Sequence, residues 1–85
     1  MVGETLHITL KRVMDGKWYH TTAEEVDVYD SPMYINIYRG GNCYVIDRNK
    51  FILEKVMTEE TWVDGEYEDY PFIELDFDKL RSSGY

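Results

Sequence analysis

The 85-residue chain is expected to be mainly β. It reads as a small antiparallel meander, either a barrel or a two-layer sandwich, of six or seven short strands with at most one short helix. Three observations predict this. Several stretches alternate apolar and polar residues with a period of two. Asp15-Gly16, Gly40-Gly41 and Asp64-Gly65 punctuate them as turn dipeptides. In the central stretch 34–57, two separate turns place one apolar set on one face.

The first element, ETLHITLKRV over 4–13, puts Leu6, Ile8 and Leu10 on one side and His7, Thr9 and Lys11 on the other. With Asp15-Gly16 as a two-residue loop, Leu10 faces Thr21, Ile8 faces Ala23 and Val13 meets Trp18. Residues 22–33 are ambiguous. Thr22 with Glu25 fits a capping box, whereas Val26 and Val28 suit an extended segment. Asp30-Ser31-Pro32 ends whatever precedes it.

Tyr34–Arg39 alternates again. A turn at Gly40-Gly41 pairs Ile37 with Tyr44, Ile35 with Ile46, Asn36 with Val45 and Tyr38 with Cys43. Taking Arg48-Asn49 as a second loop pairs Ile46 with Phe51 and Tyr44 with Leu53. A one-residue slip at either turn would break that agreement. The alternative is an α+β fold with a helix over 47–60, capped by Asp47 and carrying Ile52, Leu53, Val56 and Met57 at helical spacing. Thr58–Thr61 reads as an acidic turn. Phe72–Asp78 alternates strictly and is expected to be the last strand. One domain over 1–79 and a free tail over 80–85 are expected.

A single cysteine excludes an internal disulfide and suits a reducing cytoplasm. No secretory signal pattern or membrane-length apolar run is visible. Net charge is −8, and its distribution is uneven. Residues 1–57 carry eight acids against seven lysines and arginines, whereas residues 58–85 carry nine against two. That balance disfavours direct nucleic-acid binding and favours a partner protein with a basic surface.

The candidate binding residues are therefore Glu66, Glu68, Asp69, Glu74, Asp76 and Asp78, with Trp62 and Tyr70 as apolar anchors. In a final strand, Glu74, Asp76 and Asp78 would stand roughly 7 Å apart along one face. Such a row beside flat rings would imitate a nucleic-acid backbone. In size, charge and aromatic content the profile is similar to phage-encoded inhibitors of host enzymes. Blocking of a nucleic-acid-handling host enzyme is the corresponding expectation.

Other chemistries are less well supported. Asp64, Glu66, Glu68 and Asp69 lack the spacing of a calcium loop, and His7, His20 and Cys43 lack zinc spacing, so no metal or cofactor is expected. Cys43, taken as buried, and Ser31 have no base placed beside them, and no catalytic role is expected. Gly40-Gly41-Asn42 lacks the context of a phosphate loop. Two alternatives stand beside the acidic binder. One is a nucleotide-like ligand held by Arg12, Arg39, Arg48 and Lys50 with Trp18, Tyr34 and Tyr38. Such a ligand binder would form a homo-oligomer through a second apolar face of Cys43, Val45, Ile52 and Val56; the other alternative is a structural subunit of a larger assembly.

Overall fold

The computed structural model describes residues 5–28, 32–82 and 84–85. The expected start of the first strand at Glu4, the Asp30-Ser31 part of the turn before Pro32, and Ser83 in the tail lie outside the described residues. Among the described residues, seven strands form two sheets: β1 (Leu6–Arg12), β2 (Trp18–Ala23), β3 (Glu25–Asp27), β4 (Tyr34–Arg39), β5 (Asn42–Asp47), β6 (Phe51–Thr58) and β7 (Ile73–Glu74). The first sheet runs β6-β1-β2-β7, with β7 parallel to β2, and the second runs β3-β4-β5. The protein is thus mainly β and built as two stacked sheets, not a closed barrel. Two short helices, α1 (Glu59–Asp64) and α2 (Phe77–Arg81), complete it.

The hairpin β4–β5 has the expected register at all four pairs. Gly40 and Gly41 both take positive φ, 58° and 79°, as a twisted two-residue turn requires. The first hairpin keeps its expected faces but not its expected partners. Ile8 pairs with Thr21, Leu10 with Tyr19 and Lys11 with Trp18, a shift of two residues. An even shift leaves every side chain on its own face. The loop is longer because Arg12 closes onto Lys17, leaving Val13–Gly16 as the connection. The Asp15 carboxylate organises it, accepting from the Arg12 guanidinium at 3.1 Å and from the Lys17 N–H at 3.1 Å. The Arg12 bond holds the Asp15 carboxyl down at about 2.

The second central turn overturns an expectation. Residues 51–58 are a strand and not a helix, but β6 does not pair with β5. It crosses to the other sheet and pairs with β1. Asn49 does not take the positive φ that a hairpin turn needs; among described non-glycine residues only Glu66 does. Instead the Lys50 N–H donates to the Asp47 carbonyl, and the Asn49 N–H donates to the Asp47 carboxylate at 2.8 Å. A turn without primed geometry splays its flanking strands. The apolar set Ile35, Ile37, Ile46 and Phe51 still meets in one place, between the sheets, together with Ile8, Leu10, Tyr19, Ala23 and Leu75.

β6 carries a register shift opposite Thr9 and Leu10. Leu53 lies opposite Leu10 on the core side, whereas Lys55 lies opposite Thr9 and Met57 opposite His7 on the other side. The proposed second face is therefore divided. Cys43 and Val45 lie on the three-stranded sheet, and Ile52 and Val56 on the four-stranded one.

The last expected strand is mostly absent. Only Ile73–Glu74 pairs, and Asp76 caps α2 by accepting from the Asp78 and Lys79 N–H groups at 3.0 and 3.1 Å. The alternation in 72–78 conceals a cap followed by the i, i+3 pair Phe77 and Leu80. Leu80 and Tyr85, expected in a free tail, pack against the core. The Tyr85 ring meets Phe51 and Tyr19 at 5.2 and 5.8 Å, and its hydroxyl accepts from the Asp76 N–H.

Phe51 is 1% exposed and touches both the sheet core and Tyr85. Phe51→Ala is expected to cost about 3–5 kcal/mol in chemical denaturation. The stabilisation from the depressed Asp15 carboxyl is present above its ordinary 3.8 and lost as pH falls towards 2. Asp15→Asn should therefore flatten the acid limb of the stability curve below pH about 4.

Candidate functional site

Side chains pack against both faces of the four-stranded sheet. His7 and His20, on the side away from the main core, lie beneath Trp62 of α1. The indole stacks on both imidazoles, with centroids 4.5 and 4.3 Å apart. Trp62 is 5% exposed and so is not the surface anchor the sequence suggested. The helix that carries it starts where Thr58 accepts from the Thr61 N–H, with Glu59 and Glu60 at its positive end.

The two histidines sit in a linear chain of four side chains. His7 Nε2 bonds the Glu59 carboxylate, which α1 supplies. His7 Nδ1 lies 2.9 Å from His20 Nε2. His20 Nδ1 lies 3.3 Å from the Glu74 carboxylate on β7. Burial pushes the His20 imidazole down from its ordinary value, and Glu74 opposes that shift. Four separate elements, α1, β1, β2 and β7, are thereby tied through two rings.

Beside this cluster is an open cleft of about 240 Å³, lined by Thr9, Trp18, Glu54, Lys55, Tyr67, Tyr70 and Phe72. Tyr70 packs on Phe72 at 4.6 Å, and Phe72 meets the edge of Trp18 at 6.4 Å. Two of the chain's own ammonium groups already rest on these rings. Lys11 Nζ lies 5.8 Å from the Trp18 centroid, and Lys55 Nζ lies 5.6 Å from that of Tyr67 and donates to its hydroxyl at 3.2 Å. The faces of Trp18 and Tyr67 are thus already met by the chain's own cations, whereas among the described residues no lysine or arginine rests on Tyr70 or Phe72.

The acidic candidates divide into groups. Glu66, Glu68, Asp69 and Tyr70 lie exposed together in and beside the 3₁₀ turn Tyr67–Asp69, at the lip of the cleft. Glu66 has left-handed backbone, φ 56°. Glu74 instead belongs to the histidine chain. Asp76 is spent on capping, and Asp78 sits in the first turn of α2. The expected row Glu74–Asp76–Asp78 is thus not a ladder, because the strand ends at Glu74. Among the described residues, the carboxylates of 59–78 make ion pairs only with His7 and His20, and none with lysine or arginine.

The other candidate chemistries are not assembled. Among the described residues no three His, Cys, Asp or Glu side chains are grouped to hold a metal ion. Cys43, taken as buried, is exposed on β5, on a different sheet from the histidines. Ser31 lies outside the described residues. Three of the four cations proposed for a nucleotide-like ligand, all but Arg48, are engaged elsewhere. Arg12 holds Asp15, Arg39 donates to Thr21 Oγ1 at 3.2 Å and lies over Phe77, and Lys50 donates to the Tyr85 carbonyl.

Glu59 is the member of this cluster that sequence reasoning missed. The histidines' shared parity on the first hairpin was visible, and so was Thr58 preceding two glutamates, a helix-start signal. Nothing in the spacing connected 59 to 7.

Two substitutions test this geometry. A Cβ on Gly65 would lie 2.2 Å from the Tyr67 ring, so Gly65→Ala should displace that ring and cost about 1–3 kcal/mol, with altered Tyr67 and Lys55 resonances. Glu66→Gly should relieve the left-handed backbone and raise stability by about 0.5–1 kcal/mol in denaturant titration. Comparison with known proteins finds no family model, no curated sequence and no solved structure that matches the chain.

Proposed function

We propose that the chain is a non-catalytic acidic binding protein that docks on a basic surface of another protein and blocks it. A nucleic-acid-handling enzyme is the partner class, because its basic groove is built to accept regularly spaced negative charge. The observation that carries this reading is the 66–70 segment. It offers three exposed carboxylates free of lysine and arginine pairing, an exposed Tyr70, and an aromatic cleft directly behind them. The carboxylates steer a cationic partner, and the cleft then receives one arginine or lysine side chain over Tyr70 and Phe72, the rings that Lys11 and Lys55 leave open. Docking centres on Glu66, Glu68, Asp69 and Tyr70. Trp62 and Glu74 support it from beneath, and Asp76 and Asp78 stand apart from it on α2.

The size of the cleft favours a side chain over a free small molecule. At about 240 Å³ and open to solvent, it is smaller than the roughly 300–1,000 Å³ of enclosed ligand pockets.

A nona-arginine peptide is a suitable first probe. Glu68→Lys and Asp78→Lys change the net charge equally, yet Glu68→Lys is expected to weaken binding several-fold more and to lessen its salt dependence. Tyr70→Ala should accelerate dissociation with little effect on association. Equal losses from the two charge reversals would show that only total charge matters, and would remove the docking site.

A further inference from the structure

The chain Glu59–His7–His20–Glu74 contains three hydrogen bonds, and each needs one proton. Ionised carboxylates at both ends can only accept, so all three protons must come from four ring nitrogens. Two neutral imidazoles supply two, which leaves two lone pairs facing each other across 2.9 Å between His7 Nδ1 and His20 Nε2. Two imidazolium rings supply four, which sets N–H against N–H at the same place. Only three protons, one imidazole and one imidazolium, satisfy every bond.

We propose that these four residues form a proton-counted clamp: it is shut when the two rings share one extra proton, and a further proton on acidification releases Trp62 and α1 from the sheet. The groups facing the pair come from every neighbouring element. α1 contributes Glu59 and the stacked indole, β7 contributes Glu74, and β6 places the uncharged Met57 opposite His7. Lys55, the next β6 residue on that face, turns its ammonium to the Tyr67 hydroxyl. Release of α1 also removes Tyr67, which stacks on Trp62 at 5.6 Å, from the wall of the cleft. The clamp stands on this geometry alone; its use as a control of docking rests on the binding role proposed above.

The sign of the pH effect follows from burial. The releasing proton is the fourth on the pair; where it falls on His20 it is bound less readily folded than unfolded, so the release step lies below that ring's ordinary 6.5 and stability is lost as pH falls through the lower folded value. Glu74 opposes the depression, so removing its charge must lower the folded value further.

The test uses the isolated protein. With ¹⁵N-labelled histidine, the four ring nitrogens at neutral pH should show three bound protons and a coupling across the His7–His20 bond; two or four protons would overturn the clamp. In a Trp18→Phe background, Trp62 emission and near-ultraviolet dichroism should show a transition below pH about 6.5, separate from carboxylate titration near 4. His20→Gln keeps an acceptor and a donor but cannot take the extra proton, and should abolish that step. Glu74→Gln should move it to lower pH, whereas a merely weakened contact would move it to higher pH. Persistence of the step in His20→Gln, or an upward shift in Glu74→Gln, would refute the proposal. None of these readouts involves a partner, so their failure is distinct from failure of the peptide titration.

Discussion

The turn at Asp47–Lys50 is the constraint on which the architecture depends. It sends the chain from one sheet to the other, so β5 and β6 share a core without sharing hydrogen bonds. A chain of this length buries only about 60–65% of its unfolded surface, and neither sheet alone would enclose its apolar face. Splaying the strands at 47–50 lets Ile46 and Phe51 meet from opposite layers. Tyr85 then closes the open end against Phe51. Thr21, fully buried, joins the layers a second time: its hydroxyl donates to the Thr22 carbonyl and accepts from the Arg39 guanidinium of the other sheet, so it is satisfied in both roles.

The outer face of the four-stranded sheet is a second, polar core. Its members are histidines and a threonine on strands that would conventionally be solvated, yet Trp62, Met57 and Phe72 cover them. A buried polar network stabilises only when every member is satisfied. No buried polar side-chain atom among the described residues lacks a partner. The same network supports the wall of the aromatic cleft, because Trp62 above the imidazoles stacks on Tyr67.

Local chemistry made much of the fold legible. Two glycines with positive φ determine the β4–β5 register, and alternation identifies the faces of β1, β2 and β4. What escaped depends on contacts distant in sequence. The faces assigned to Phe51 and Leu53 were right while their partner strand was wrong, because alternation reports a face and not the neighbour across it. In 72–78, Asp76 as a cap competes with Asp76 as an outward strand residue, and packing of Phe77 and Leu80 decides for the helix. The acidic excess of the last third was plain. Its division among an exposed turn, a histidine bond and a helix cap was not, since charge carries no record of its neighbours.

The irregularity in β6 bears on solubility. β6 forms an outer boundary of its sheet and exposes Ile52 and Val56, which would make a flat template for another copy to zip onto. The misaligned ladder at Glu54, with the charged pair Glu54-Lys55 beside it, interrupts that template midway. A chain lacking this irregularity would present a straight ribbon of free amides and carbonyls, and growth into fibrils would become its principal hazard.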